Sequence, residues 1–465
     1  MPFTVSPRDA ADAAIRPMTA VLVGVGEFGA SFLFRSGRAT GLRVVAAADA
    51  DVTRVLDAAH AAGFRDDRVA LCATVAAVRA AFARGDFVAV DDAALLMNEP
   101  FDIVVEATGS PMAAADVAAA ALANGKHVAL VTKECDSVVG AALRARAHAA
   151  GVVCAAVDGD QPSLAIELVA WARMLGFEVV CAGKSSEYDF VYEEASRTIA
   201  AVGRRADAEW LARSWHGPAE GIVARVVERA SRLADWPHRT VPDLCELAII
   251  ANATGLAPDL PQLHAPIART LELSDLMRES SEGGLFSRSG TVDMFNCLRR
   301  SDELSFAGGV FVVVRCDDRA TWRLLKGKGI PTSENERHAL LHNPVHLLGM
   351  EAPVTLRRMI DAPHACPNVV PRWDLHARAV RPLSAGTELA LAARHAIDGV
   401  EPLLERAVPA IGDAPVPYYM AAGCRLRGDV AAGMLITRNH LVDMPQATLW
   451  RLRQEQDRLI ERIDD

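Results

Sequence analysis

The chain has 465 residues, 51% of them hydrophobic and 23% charged, and its formal net charge at pH 7 is −10. This length and composition predict a globular protein with two or three domains, each with a full-sized core. The acidic balance argues against nucleic acid or an anionic membrane as a partner, because binding either would need a basic face.

The nine cysteines are scattered and form no Cys-x-x-Cys pair, which fits reduced thiols in a cytoplasm better than a disulfide framework or a zinc site. Residues 1 to about 17 are expected to be a polar, partly helical lead-in, and they lack the apolar stretch of a secretory signal. No apolar run reaches membrane-spanning length. We therefore expect a cytoplasmic protein with no membrane segment.

The first strand, 21–23, is an apolar run that opens directly into three glycines spaced Gly-x-Gly-x-x-Gly. The first glycine permits a sharp turn, the second lets the backbone approach a pyrophosphate, and the third lets the following helix pack closely on the strand. The N-terminus of that helix offers unpaired N–H groups to phosphate. The predicted dinucleotide-binding residues of this loop are Gly24, Gly26, Glu27, Phe28 and Gly29.

A second apolar run, 42–48, ends at Asp49, whose carboxylate is placed to bind a ribose hydroxyl of the cofactor. A carboxylate there repels the 2′-phosphate of NADP, whereas the nearby Arg54 could neutralise it. We favour NAD over NADP by a narrow margin, and both remain open.

Strands and helices then alternate as far as residue 157, which predicts a doubly wound parallel sheet of the Rossmann type. Amphipathic helix is expected over 52–84 with a break at Gly63, and a further short helix over 89–97. The run 101–106 is a buried strand that ends in Ala107, Thr108 and Gly109. These three residues lie at the carboxyl edge of the predicted sheet and should contact the cofactor.

The middle of the chain changes character and predicts an α+β domain for substrate binding and dimerisation. A helix over 163–175 and a strand over 178–182 are followed by a polar loop, 183–189. Residues 195–240 are mostly helical in this prediction, and 243–253 is an apolar helix. A strand over 309–314 precedes a loop that carries two lysines between glycines.

The last hundred residues contain two similar segments, 374–389 and 425–435, each typical of strand, glycine turn and strand. They predict a small β-rich domain with internal pseudo-symmetry, against which a charged helix from Pro445 should pack. The expected domains are 1–160, 161–358 and 359–465.

Several polar residues at predicted strand ends are candidates for substrate chemistry. Lys184 follows a strand and could donate a proton to a developing alkoxide, with Glu187 and Asp189 orienting it or the substrate. Replacing Lys184 by Met should then preserve folding and cofactor binding. Asp158, Asp160 and Gln161 follow another strand and either contact substrate or cap a helix.

Two further sets of residues could contact substrate. Lys326 and Lys328 suit a substrate carboxylate or phosphate, or else lie in a surface loop. His342 and His346 have the i,i+4 spacing of metal ligands, but Pro344 lies between them and no third ligand is adjacent. We therefore predict no metal site, and expect His346 to contact substrate or to be packed.

The glycine loop, Val105-Glu106-Ala107-Thr108-Gly109, the paired C-terminal segments and the run Asn343 to Glu351 together resemble homoserine dehydrogenase-like oxidoreductases that carry a C-terminal SAF domain. This group includes the type II 1-deoxyxylulose-5-phosphate reductoisomerases. The resemblance implies that Lys133 lies beside the nicotinamide. Near residues 243–250, where homoserine dehydrogenases have a catalytic Asp and Lys, this chain has Glu246 and no lysine, which argues against homoserine as the substrate.

We expect a homo-oligomeric NAD(P)-dependent oxidoreductase that transfers a hydride to or from a small polar, anionic metabolite, with Lys133 and Lys184 as catalytic residues. One alternative is a reductoisomerase that uses NADPH and a divalent cation. Another is a dinucleotide or metabolite sensor without turnover.

Overall fold

The computed structural model describes residues 17–464 except residues 40, 216, 443, 445 and 446. Two predicted features lie outside the described residues. One is the lead-in before residue 17, and the other is Pro445, the predicted start of the last helix.

Within this part of the chain, the first sheet has seven parallel strands in the order β3-β4-β2-β1-β5-β6-β7. Side chains that alternate along β1 enter two different hydrophobic cores, Ala20 and Leu22 in one and Val21 and Val23 in the other. Both faces of the sheet are therefore covered, which confirms the predicted doubly wound parallel fold. The strands are β1 (Met18–Val23), β2 (Leu42–Ala48), β3 (Val69–Leu71), β4 (Phe87–Val90), β5 (Ile103–Glu106), β6 (His127–Leu130) and β7 (Cys154–Ala156).

The helices between these strands are α1 (Glu27–Ser36), α2 (Val52–Ala61), α3 (Val75–Arg84), α4 (Pro111–Ala123) and α5 (Lys133–Ala149). Two details of the prediction were wrong. The stretch 52–84 is two helices separated by strand β3, and most of 89–97 is the end of β4 and a 3₁₀ turn at Ala93–Leu95. Short apolar runs such as β3 do not reveal by periodicity whether they are strand or helix.

A second, mixed sheet follows in the order β11-β10-β9-β14-β8-β15-β16, and β12 and β13 also pair with β14. Its strands are β8 (Glu178–Ser185), β9 (Phe190–Glu193), β10 (Thr198–Ala201), β11 (Arg204–Asp207), β12 (Ala257–Pro258), β13 (Ile267–Ala268), β14 (Thr291–Arg300), β15 (Val310–Arg315) and β16 (His338–Asn343). The accompanying helices are α6 (Gln161–Met174), α7 (Glu209–Ser214), α8 (Ile222–Arg232), α9 (Val241–Thr254), α10 (Leu273–Leu276) and α11 (Arg319–Gly327).

Strand β8 is longer than the sequence suggested. It continues through Lys184 to Ser185, because β14 pairs with this segment in parallel and β15 pairs with it antiparallel. Lys184 is therefore a residue of a central strand, not of the polar loop predicted over 183–189. The mostly helical prediction for 195–240 missed β10 and β11, and the predicted loop with Lys326 is the last turn of α11.

The C-terminal part contains β17 (Trp373–Ala379) paired with β18 (Val400–Arg406), and β19 (Arg425–Leu426) paired with β20 (Leu441–Val442). The two similar segments predicted from sequence pair with each other antiparallel, Arg378 with Leu435, Leu383 with Val430 and Glu388 with Arg425. Their mutual pairing confirms the small β-rich domain. The helices here are α12 (Ala352–Asp361), α13 (Tyr418–Ala421) and α14 (Thr448–Asp464).

Helix α14 packs against two parts of the molecule, not against the β domain alone as predicted. Arg453 forms two hydrogen bonds with Asp374 of β17, at 2.9 and 2.7 Å, and both side chains are almost fully buried. Gln456 of the same helix donates to the Val138 carbonyl at 2.7 Å and accepts from the Ala141 N–H at 3.1 Å, both in α5. The last helix thus joins the β domain to the first sheet.

Replacing Arg453 with Met should lower the free energy of unfolding by about 3–5 kcal/mol, because Asp374 would be left buried without its cation. Urea denaturation measures this loss. Arg451→Met is the matched control, because Arg451 is exposed on the same helix and its removal should cost less than about 0.5 kcal/mol. Equal effects of the two substitutions would contradict a stabilising role for the buried pair.

Candidate active site

The glycine loop has the close backbone contacts that its spacing predicts. Gly24 has a φ of +92°, and a Cβ there would collide with the carbonyl of Ala107 at the end of β5. A Cβ on Gly29 would collide with the carbonyl of Gly24. The first and third glycines are therefore required by the turn and by the packing of α1.

The second glycine is different, because a Cβ on Gly26 would meet no atom within 4 Å. Gly26 is exposed at the N-terminus of α1, as is Glu27, while Phe28 is half-buried. The open space beside Gly26 is where a pyrophosphate would approach the unpaired N–H groups of the helix. This loop is therefore shaped to hold a dinucleotide.

Asp49 supports this loop from β2. Its Oδ2 accepts a hydrogen bond of 2.7 Å from the Val25 N–H, and its Oδ1 accepts one of 3.0 Å from Asp51. The carboxylate of Asp51 forms an ion pair with the guanidinium of Arg54, with 3.7 Å between Oδ2 and Nε. Arg54 is thus paired with a neighbouring carboxylate, while Asp49 holds the loop in place beside the predicted ribose position.

The ends of β5 and β6 are tied together by Glu106, a fully buried carboxyl whose pKa is raised by burial. It accepts hydrogen bonds from the Thr108 N–H at 2.8 Å and from the Thr132 hydroxyl at 2.9 Å. The Thr132 hydroxyl also accepts from the Gly109 N–H at 3.0 Å. Because Thr132 is the N-cap of α5, this network fixes the position of Lys133, the first residue of that helix.

Lys133 and Lys184 meet at a single carboxylate, Glu246 of α9. One oxygen of Glu246 binds Lys133 Nζ and the other binds Lys184 Nζ. Lys184 Nζ also lies 2.8 Å from Asp243, one turn earlier on the same helix, and Lys133 Nζ lies 3.8 Å from Asp160. The two lysines that the sequence nominated are thus neighbours, although 51 positions separate them.

The two lysines differ in access. The side chain of Lys133 is 24% exposed, whereas that of Lys184 is 1% exposed. Burial alone would lower both pKa values, but the neighbouring carboxylates of Asp160, Asp243 and Glu246 raise them above the ordinary lysine value. Both ammonium groups are therefore charged at neutral pH, and only Lys133 can be approached from solvent.

The carboxyls of the cluster titrate differently. Burial raises the pKa of Glu246 against the opposing effect of the two lysines. Burial would also raise the pKa of Asp243, but Lys184 and the Thr240 hydrogen bonds hold it below its ordinary value. Glu134, beside Lys133 in the chain, has its pKa raised to about 7 by burial.

The structure separates the other predicted residues into two groups. Asp160 is the N-cap of α6, and Glu187 Oε1 lies 3.7 Å from Lys184 Nζ. A Cβ on Gly308 would be 2.7 Å from the His346 ring nitrogen and 3.3 Å from Glu187, so these two side chains flank one position. Gln161 is fully buried, and neither amide atom has a hydrogen-bond partner among the described residues.

The remaining predicted residues already have protein partners or lie at the surface. Asp158 contacts Arg358 at 3.3 Å, and Asp189 accepts a hydrogen bond of 2.5 Å from Arg299. Lys326 is exposed and lies 3.4 Å from Glu336, and Lys328 follows it at the end of α11. Arginines therefore hold Asp158 and Asp189, whereas Lys326 and Lys328 lie at the surface.

Sequence reasoning missed Asp243 and Glu246 as partners of the lysines. The available signal was a pair of carboxylates three residues apart on an otherwise apolar helix, since a buried charge requires a partner. It also missed His395 of the C-terminal domain, whose Nδ1 lies 3.2 Å from Glu134 without hydrogen-bond geometry.

Among the described residues, no group of three or more His, Cys, Asp or Glu side chains is arranged to hold a metal ion. In the same part of the chain, no helix combines the length and the apolar character needed to cross a bilayer.

Two family models match this chain without overlapping. The NAD-binding domain of homoserine dehydrogenase matches residues 24–155, and the catalytic domain of oxidoreductase DRL matches residues 159–214 and 240–352. A search of curated proteins finds no significant match.

Among solved structures, GenD2 from gentamicin A biosynthesis in complex with NAD is 20% identical, over 37% of this chain and 45% of that one, with a TM-score of 0.26. Biliverdin reductase from Synechocystis sp. PCC 6803, with biliverdin and NADP+, is 20% identical over 39% and 49%, with a TM-score of 0.25. The 1-deoxy-D-xylulose 5-phosphate reductoisomerase from Zymomonas mobilis, with NADPH, is 21% identical over 37% and 46%, with a TM-score of 0.27.

The chain spans slightly less than half the length of these structures, and at such TM-scores they carry no argument about its activity. The match to the NAD-binding domain spans both the glycine loop and Lys133. The chain therefore belongs to the NAD(P)-binding oxidoreductases, with an NAD-binding domain of the homoserine dehydrogenase type followed by a catalytic domain of the DRL type.

Proposed function

We propose that this protein transfers a hydride between NAD(P) and the carbonyl or alcohol carbon of a small polar, anionic metabolite. The observation that carries the proposal is the ion cluster of Lys133, Glu246 and Lys184. Lys133 begins α5 directly after β6, at the carboxyl edge of the parallel sheet that also carries the glycine loop. Ligands of doubly wound sheets bind at that edge.

Bound nicotinamide supplies or accepts the hydride. Lys133 is the group that we propose contacts the reacting oxygen, because its ammonium is partly exposed and charged. In the reducing direction this oxygen becomes negative, and a pre-placed ammonium stabilises the charge and donates a proton to it.

Lys184 has a different role in this proposal. When Lys133 gives up its proton, Glu246 remains paired with Lys184, so the buried carboxylate keeps a cation. Lys184 is therefore a positioning residue, which revises the expectation that it donates the proton. Glu134 titrates near neutral pH beside Lys133 and can return the proton.

For the substrate, we retain Asp160, Gln161, Glu187 and His346 as candidate contacts. Asp160 and Glu187 each lie within 4 Å of one of the two lysines, and the unpartnered amide of Gln161 can both donate to and accept from a ligand. A reductoisomerase would use the same hydride transfer after a skeletal rearrangement, so the carbon skeleton of the product distinguishes it. We also propose that the protein is a homo-oligomer, that it is cytoplasmic, and that it is divided into the three domains expected from the sequence.

Replacing Gly26 with Val should weaken NAD(H) binding about tenfold or more, because the new side chain would occupy the space that the pyrophosphate needs. Fluorescence titration measures the dissociation constant. Gly37→Val is the matched control, because Gly37 has equally open surroundings at the opposite end of α1. Unchanged affinity in Gly26→Val would disprove the binding mode. The same titration with NADPH tests the preference for NAD, which the pairing of Arg54 with Asp51 supports.

Replacing Lys133 with Met should lower turnover by about 10²–10³ while leaving stability nearly unchanged, since Glu246 keeps Lys184. The measurement is NAD(P)H absorbance over a panel of small hydroxy and oxo acids and their phosphates. Lys184→Met is the informative comparison, because it leaves Asp243 without its cation. We expect it to lose both turnover and thermal stability. Normal turnover in Lys133→Met would remove this residue from the mechanism.

Glu134→Gln tests the neutral-pH titration. The native carboxyl stays protonated up to about pH 7, whereas the unfolded one ionises near its ordinary value of 4.5. This group's contribution to stability is therefore complete below about pH 4.5 and declines as the pH rises to about 7. The melting temperature of Glu134→Gln relative to wild type should rise between about pH 5 and pH 8. The exposed Glu461→Gln should show no such trend, and a flat difference for Glu134→Gln would refute the assignment.

A further inference from the structure

A tight turn of the C-terminal domain reaches the candidate active site. Leu391 pairs with Ile397, and the Ala392 N–H donates to the Ala396 carbonyl at 2.7 Å, which closes a short loop. At its tip, Arg394 and His395 both have left-handed backbone, with φ of +54° and +59°. Two successive non-glycine residues in this region are unfavourable, so the surrounding structure must hold them there.

Buried tyrosines hold the turn. The Tyr418 hydroxyl accepts from the Ile397 N–H at 2.7 Å and donates to the His395 carbonyl at 3.2 Å. The His395 ring meets Tyr419 edge-on, at 5.8 Å between centroids, and its Nδ1 lies 3.2 Å from Glu134. The turn also packs against α9, the helix of Asp243 and Glu246. It is therefore fixed beside Lys133 from one side and α9 from the other.

Arg394 is exposed at the tip of this turn, and its guanidinium has no hydrogen-bond or ion-pair partner among the described residues. Its charge acts on Tyr188. Burial and the Asp243 carboxylate raise the pKa of Tyr188 to about 12, and the positive charges of Arg394 and Lys184 oppose this rise. Arg394 also directly precedes His395, whose Nδ1 lies 3.2 Å from Glu134, so the tip of the turn that carries Arg394 borders the lysine cluster.

The lysine cluster contains more carboxylates than lysines, so an additional cation is needed nearby if an anionic substrate is to bind. Its two lysines are outnumbered by the carboxylates of Asp160, Asp243 and Glu246, to which Glu187 adds a fourth. An anionic substrate would be repelled unless another cation were near. A guanidinium fork binds a carboxylate or a phosphate with two parallel hydrogen bonds.

We propose that Arg394 binds the anionic group, a carboxylate or a phosphate, of the substrate, so that the C-terminal domain contributes a specificity-determining residue to the active site. This inference rests on the proposed function, because it assigns the anionic end of the metabolite whose other end meets Lys133.

The test uses the full-length protein saturated with NAD, titrated calorimetrically with malonate and separately with inorganic phosphate. Wild type should bind one of the two anions, and the one preferred identifies the group as carboxylate or phosphate. Arg394→Met should weaken that binding at least about tenfold, and Arg394→Lys should weaken it less, since the charge remains without the fork. Arg427→Met, an exposed arginine elsewhere in the same domain, should bind like wild type.

Equal anion affinity in wild type and Arg394→Met would overturn the inference, as would the absence of binding to either anion in wild type. These outcomes are separable from failure of the proposed function, which is judged by turnover in Lys133→Met. If Arg394→Met loses anion binding while NAD affinity is unchanged, the effect is at the substrate position and not at the dinucleotide.

Discussion

The shared carboxylate of Glu246 is the interaction on which the rest of the site depends. It joins Lys133, the first residue of α5 at the carboxyl edge of the first sheet, to Lys184 from a central strand of the second sheet. Without it, the two neighbouring ammonium groups would repel each other, and without them the carboxylate would be costly to bury. Lys184 and Glu246 are therefore tolerated in the interior because each has an oppositely charged partner, whereas Lys133 remains partly exposed. The electrostatics of the site therefore also fix how the two sheets meet.

A second constraint is the close approach of backbones at glycines far apart in the sequence. A Cβ on Gly159 would collide with the Leu348 carbonyl, and one on Gly349 would collide with the Phe28 carbonyl in α1. The Gly349 N–H also donates to the Ser31 hydroxyl at 3.0 Å. The segment that follows His346 is therefore seated on the helix that begins at the glycine loop. Cofactor and candidate substrate residues are held by one packed unit.

The elements that could be predicted were those set by neighbouring residues. The glycine loop depends on the conformation of six consecutive positions, and the alternating pattern of the first sheet repeats along the chain. Lys184 was placed in a loop because its neighbours are polar, yet pairing by β14 and β15 on both sides makes it strand. The partners of Glu246 lie 62 and 113 positions away, and no local pattern identifies them.

Helix α5 is held in place in part by the C-terminal part of the chain. This helix begins at Lys133. About halfway along it, the Gln456 side-chain amide donates to the Val138 carbonyl at 2.7 Å and accepts from the Ala142 N–H at 3.3 Å. In a regular α-helix these two backbone groups would be hydrogen-bonded to each other. Gln456 belongs to α14, which Arg453 anchors to β17. The position of Lys133 therefore depends on a helix more than three hundred residues later, whose own attachment requires the β domain. A domain that the sequence marks only by its internal similarity thus helps to hold α5, and with it Lys133, in place.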